Sequence, residues 1–233
     1  MICKAIIFDL DGTLLDTLDD LTDALNHAFF ALNLCAVDRA RVRRYVGNGV
    51  PKLIERALYF ATTGREPDLN GQNDTDAQKL SACLKIFTEY YDAHSADKTK
   101  PYDGVCDMLV EVARRGIKSA IVTNKYEQAA KALKDRFFGT VDVIVGARDG
   151  VRPKPAPDGV YLALEGLGEC KENAVYVGDG ETDILTAEAC GMPVIAVTWG
   201  FRDRDVLEKL SPDAVIDSPS ELFKGVATVG HDG

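Results

Sequence analysis

The feature that most constrains this chain is the spacing of its short apolar runs. Ala5-Ile6-Ile7-Phe8 is a continuous apolar segment closed by Asp9 and then Gly12, and it reads as a buried strand. The next comparable run lies far downstream, at Ile117–Val122. Everything between them carries helical spacing. From Pro101 onward strands and helices alternate, the pattern of a parallel, doubly wound sheet. The expected fold is therefore α/β, a flavodoxin-like or Rossmann-like core made by residues 1–15 and 101–233. Residues 16–100 are expected to form an inserted α-helical cap domain.

Within the insertion, Thr17 and Asp20 have the spacing of a capping box, followed by Leu18, Leu21, Leu25, Ala28, Phe29 and Leu32 on one helical face. A second helix is expected around Arg41–Val46, broken by Gly47-Asn48-Gly49, with Pro51 in the first turn of the next. Thr63–Thr75 reads as a loop, and Leu80, Leu84, Phe87 and Tyr91 as one face of a fourth helix. After the insertion, helices are expected at Val105–Arg114, Glu127–Lys134, from Pro157 to near Gly168, and at Glu181–Cys190. Strands are expected at Val141–Val145, Val175–Val177, Val194–Val197 and Ala214–Ile216.

The 233 residues, 46% hydrophobic, are enough to bury a sizeable core without staples. The six cysteines show no C-x-x-C pair and no zinc spacing, and read as small buried apolar residues in a reducing compartment. Met1-Ile2-Cys3-Lys4 leads straight into the first apolar run, too short for a signal peptide, and no stretch approaches a membrane span. A cytoplasmic location, with no membrane partner, is expected. A net charge of −10 repels polyanions, so nucleic acid is not an expected partner. A small phosphorylated metabolite is, because local cations can overrule a diffuse field.

In open parallel sheets ligands bind beyond the carboxyl ends of the strands. Asp9 and Asp11 follow the first strand, Thr123 and Asn124 the second, Lys154 the third, and Asp179 and Asp183 the strand Val175–Val177. Clustered carboxylates need a cation among them, and oxygen-only donors favour a hard ion such as Mg²⁺. His27, His94 and His231 are spread along the chain and offer no competing metal site. A lysine and a hydroxyl beside such a metal would grip phosphate oxygens. Taken singly, each residue has a plainer reading: an Asp after a strand is commonly a cap or turn former, and a lone Lys a solvated charge. Four compatible groups on successive strand ends are not explained that way. Gly178-x-Gly180-x-x-Asp183 misses the third glycine of a dinucleotide fingerprint and follows a late strand.

These four segments resemble, in order, the four motifs of the haloacid dehalogenase-like hydrolase superfamily. They are D-x-D-G-T at Asp9–Thr13, Thr123, Lys154 before a proline, and G-D-x-x-x-D at Gly178–Asp183. The resemblance covers essentially the whole chain. It implies that Asp9 is a nucleophile accepting a phosphoryl group and Asp11 the general acid/base. It further implies Mg²⁺ held by Asp9, the Asp11 carbonyl and Asp179, with Asp183 supporting. Thr123, Lys154 and Gly12 would line the phosphoryl site, with Asn124 assisting.

Within that superfamily, Gly47-Asn48-Gly49, the preceding Arg43–Val46, Thr123-Asn124-Lys125 and Thr198–Arg202 resemble phosphoglycolate phosphatases. The implied activity is hydrolysis of a small phosphomonoester, 2-phosphoglycolate foremost. Its carboxylate calls for one more cation, and Arg44, Lys52, Arg56 and Lys125 are the candidates. Gly47–Gly49 is equally an ordinary interhelix turn. A phosphomutase of the β-phosphoglucomutase type, a pyrophosphatase or a general sugar phosphatase would share the motifs. A phospho-acceptor signalling domain would share the acidic cluster, but it is shorter and lacks a cap.

Overall fold

The computed structural model describes residues 3–230; His231 and the leading Met1 and Ile2 lie outside them. The chain divides into two compact units, one joining the residues up to Asp16 with those from Pro101 onward, the other spanning Thr17–Lys100.

In chain order the elements are β1 (Ala5–Phe8), β2 (Leu15–Asp16), α1 (Leu18–Ala31), α2 (Arg39–Tyr45), α3 (Val50–Thr63), α4 (Ala77–His94) and β3 (Lys100–Pro101). There follow α5 (Val105–Arg114), β4 (Lys118–Tyr126), α6 (Glu127–Phe137), β5 (Val143–Ala147), α7 (Asp158–Leu167), β6 (Ala174–Gly178), α8 (Glu181–Cys190), β7 (Val194–Val197), α9 (Arg204–Glu208), β8 (Ala214–Ile216) and α10 (Leu222–Val229).

The larger unit is built on a six-stranded sheet in the order β5-β4-β1-β6-β7-β8, every pair parallel. It is α/β with a Rossmann-like core, as expected. Ala5, Ile7, Ala120, Val122, Ala174, Tyr176, Val194 and Ala196 alternate along their strands onto one face. There they pack with Val160, Ala163, Leu164 and Leu167 of α7 and with Ile184, Ala187 and Cys190 of α8. The intervening Ile6, Phe8, Ile121, Val175 and Ile195 are equally buried. On that second face α10 comes so close that a Cβ on Gly225 would stand 3.1 Å from Ile195 Cδ1. Burial on both faces is why these strands read as continuous apolar runs rather than alternating ones.

The smaller unit is the four helices α1–α4, packed through Leu21, Leu25 and Phe29, Val42 and Tyr45, Leu53, Ile54 and Leu58, and Cys83, Phe87 and Tyr91. The expected capping box at its start is not formed. Thr17 makes no side-chain cap bond and its buried hydroxyl has no partner. Asp20 instead accepts the backbone N–H of Lys98 at 3.0 Å and of Thr99 at 2.8 Å. The carboxylate satisfies two donors 78 and 79 residues away rather than one in its own first turn. The cysteine reading also needs correction: Cys83 and Cys190 are buried, but Cys35, Cys106 and Cys170 are exposed. Among the described residues no helix is long and apolar enough to cross a membrane.

Candidate active site

Register brings the site together. Phe8 at the end of β1 pairs with Ile121 of β4 on one side and Val177 of β6 on the other. Asp9 thus stands one residue beyond the pairing, and Thr123 and Asp179 two residues beyond it. The Asp9 N–H donates back to the Val177 carbonyl at 2.9 Å, fixing the chain where it leaves the sheet. The central strand lies where the connections run to either side, the usual ligand position of a doubly wound sheet.

Lys154 is the hub. Its Nζ lies 2.8 Å from Asp9 Oδ1 and 2.7 Å from Asp183 Oδ1. Asp183 caps α8 and contacts Lys154 at the same time. Its Oδ2 accepts the Gly180 N–H at the start of α8 at 3.1 Å, leaving Oδ1 to Lys154. The Tyr176 hydroxyl stands 3.3 Å from the same Oδ1, and its ring lies beneath the Lys154 ammonium, 5.9 Å from nitrogen to centroid. Sequence reading took Tyr176 only as an apolar strand residue.

Asp179 is held from both sides. The Thr13 hydroxyl donates to Oδ1 at 3.1 Å and the Phe201 N–H to Oδ2 at 2.7 Å. Gly12, at φ 95°, passes so close that any Cβ there would overlap the Asp179 carboxylate. The D-G step of the first motif is therefore a steric requirement of the fourth.

Asp11 does not face that cluster. Its carboxylate takes Lys125 Nζ at 2.9 Å, with the lysine side chain 4% exposed. The Thr123 hydroxyl oxygen accepts the Lys125 N–H at 3.1 Å, so its own hydrogen stays available to a ligand. Asn124 is spent on the backbone of Lys154: its amide donates to the Lys154 carbonyl at 3.0 Å and accepts the Lys154 N–H at 2.7 Å. Its place is to hold the lysine loop.

The carboxylates of Asp9, Asp179 and Asp183 offer oxygens within 4.8 Å of one another, all three buried. Burial, then the charges of Asp183 and Asp179, push the Asp9 carboxyl well above the usual range against the pull of Lys154. Burial and Asp183 raise Asp179 to about 7. Burial works against the Lys154 charge, but Asp183 and Asp9 outweigh it and hold the ammonium well above its ordinary value. One ammonium among three carboxylates leaves negative charge in excess. An all-oxygen donor set in that condition fits a hard divalent cation.

The other expected residues belong to the helical unit. Gly47 and Gly49 adopt φ 132° and 82° in the turn before α3. Asn48 Oδ1 accepts from the buried Arg56 at 2.7 Å, and Arg56 also donates to the Tyr45 carbonyl at 2.6 Å and to that of Leu69. Arg44, half exposed, pairs with Glu66 at 3.0 Å, and Lys52 with Glu55 at 2.9 Å. Each of these cations has a partner inside its own unit.

A model of the haloacid dehalogenase-like hydrolase family matches residues 6–197. A phosphoglycolate phosphatase of Mesorhizobium japonicum is 39% identical over 213 residues, covering 91% of this chain and 89% of its own. That of Escherichia coli K12 is 30% identical, covering 94% and 91%. A crystal structure from Lactobacillus delbrueckii subsp. bulgaricus aligns with a TM-score of 0.92 at 33% identity, covering 97% of this chain and 99% of that one. With a family match across most of its length and the acidic cluster in place at the strand ends, the chain belongs to the haloacid dehalogenase-like hydrolase family.

Proposed function

We propose that this chain hydrolyses a small phosphomonoester, 2-phosphoglycolate, through a covalent phosphoryl group on Asp9, with Mg²⁺ as its metal. The observation that carries this reading is the convergence of Asp9, Asp179 and Asp183 around the Lys154 ammonium at one rim of the sheet. The likeness to phosphoglycolate phosphatases supports it. A cytoplasmic location is part of the proposal.

Asp9 Oδ attacks phosphorus, an O–P bond forms, and the bond from phosphorus to the leaving oxygen breaks. That oxygen takes a proton from Asp11 and glycolate departs. A water then gives a proton to Asp11 and attacks phosphorus, breaking the Asp9–P bond and releasing phosphate. Lys154 and the Thr123 hydroxyl bind phosphoryl oxygens, and Asn124 keeps Lys154 in place. Asp9, Asp179 and the Asp11 carbonyl would hold the metal, with Asp183 supporting. Bound there, a divalent cation supplies positive charge against which the carboxylates and the phosphoryl oxygens can approach.

Lys125 is the cation assigned to the substrate carboxylate, because it alone of the four candidates lies in the unit that carries Asp9. A charge-assisted bond is worth about 1.5–3 kcal/mol, roughly one to two decades in specificity. Phosphate release should therefore be measured for 2-phosphoglycolate and for ethyl phosphate, which lacks the carboxylate. A kcat/KM advantage of at least about tenfold is expected, erased in Lys125→Met. Equal kcat/KM for both substrates would remove phosphoglycolate and leave a phosphatase of another small ester. A preference for sugar phosphates with slow phosphate release would point to a mutase.

A further inference from the structure

The segment Thr198–Arg202 has no part in the chemistry above, yet it reaches the metal-site carboxylate. The Phe201 N–H donates to Asp179 Oδ2 at 2.7 Å. Two residues earlier, Trp199 Nε1–H donates to the Thr13 carbonyl at 3.0 Å, and Thr13 is the residue whose hydroxyl holds Asp179 Oδ1 at 3.1 Å. The turn thus governs both oxygens, one directly and one through Thr13. Gly200, between the two contacts, has no room for a side chain. A Cβ there would overlap the Gly12 carbonyl oxygen and Asp179 itself. Asp179 thus packs against two glycines, Gly12 and Gly200, neither of which has room for a side chain, and each of its oxygens accepts a hydrogen bond. It is 3% exposed there.

We propose that the turn Trp199-Gly200-Phe201 is the positioning device for Asp179, and that Thr13, Trp199 and Gly200 set this protein's affinity for its divalent cation. The inference rests on the reading of the acidic cluster as a metal site. Its physical basis is rotational. Each carboxylate oxygen can accept more than one partner, so a fixed donor on each oxygen locks the plane of the group and still leaves lone pairs for a cation. With either donor gone, the carboxylate rotates, and order must be restored when metal binds. Outer partners of metal ligands characteristically change affinity by about 10- to 100-fold. The sequence does not reveal this role, because two of the turn's contributions come from a backbone N–H and from an absent side chain.

The test is calorimetric titration of the full-length protein with Mg²⁺ and Mn²⁺, alongside thermal melts. Thr13→Val and Trp199→Phe should each weaken metal binding by about tenfold or more, and Thr13→Ser should restore it. Gly200→Ala should weaken it further if it folds; if it does not, the other two variants decide. At saturating metal the KM for the phosphoester should be unchanged, while the metal concentration for half-activation rises with the dissociation constant. Thr13→Val and Trp199→Phe proteins that melt like wild type and bind metal like wild type would overturn the turn's role alone. A wild-type protein that binds neither cation would overturn the metal site and this inference together.

Discussion

The Lys154 ammonium lies 2.8 Å from the Asp9 carboxylate and is shared with Asp183 at 2.7 Å, in a site where the lysine side chain is 4% exposed. Substitutions on the two sides of this contact should therefore behave differently. Asp9→Asn removes one of three crowded charges along with the nucleophile. It should lower kcat by roughly three orders of magnitude or more while the melting temperature stays at or above that of wild type. Lys154→Met leaves two buried carboxylates unpaired and should destabilise the metal-free protein by about 3–5 kcal/mol. Denaturant titration of both variants checks the contrast. An active Asp9→Asn protein would remove Asp9 as nucleophile.

The Asp179 carboxyl, raised to about 7 from an ordinary value of 3.8, makes the metal-free protein pH-sensitive. The folded state holds this proton more tightly than the unfolded chain does. The protonated group therefore stabilises fully below about pH 4, and that contribution is lost as pH rises through 7. In chelator, the melting temperature of Asp179→Asn should gain on wild type between pH 5 and pH 8. Mg²⁺ should close the gap by stabilising wild type alone. Chelator should also abolish activity, Mg²⁺ should restore it, and Ca²⁺ should inhibit because its larger, looser coordination misplaces Asp9. A pH-independent difference between the two proteins would show that Asp179 is not the group responsible.

Asp11 stands apart from the acidic cluster, paired with Lys125 at 2.9 Å. As acid and base it matters most where the leaving group is poor. Asp11→Ala should lose about 10²- to 10⁴-fold on an alkyl phosphate and far less on nitrophenyl phosphate. Steady-state rates on the two esters decide it, and equal losses would mean that Asp11 does not protonate the leaving oxygen.

Asp20 ties the first turn of α1 to the end of the helical unit through the N–H groups of Lys98 and Thr99. Bonds to a charged acceptor contribute about 1.5–3 kcal/mol each, so Asp20→Ala should cost about 3 kcal/mol or more in unfolding free energy. A loss below about 1 kcal/mol, the size of an ordinary N-cap, would restore the local capping role that the spacing to Thr17 first indicated.

Much of the core could be read without coordinates, and the reason is local. β1, α5, α8, β7 and β8 fall on the residues expected from apolar runs and from their stops, such as Gly191 after α8. Buried parallel strands announce themselves because both faces are apolar. The short α9 and the closing α10 were missed, as were the two-residue β2 and β3, since such brief segments carry little periodicity.

Taken alone, the sequence determined the order of the chemical groups and the placement of Asp9 and Asp179 directly beyond a strand, because each follows an apolar run that has to be buried, whereas Thr123 and Asn124, expected after a strand, lie within β4. Which group touches which was decided only by tertiary structure. The spacing of Thr17 and Asp20 pointed to a local cap, but the donors that Asp20 satisfies lie at the other end of its unit. Asn124 was expected to assist at the phosphoryl site, and only the structure shows that its side chain is bound to the Lys154 backbone. Tyr176 looked like core and reaches Asp183, while Gly200, marked in the sequence only as part of Thr198–Arg202, leaves the space that Asp179 fills. Hydrogen bonds and steric fit depend on distances of a few ångströms between residues far apart in the chain. Those distances are set by sheet register and loop packing, which no local pattern encodes.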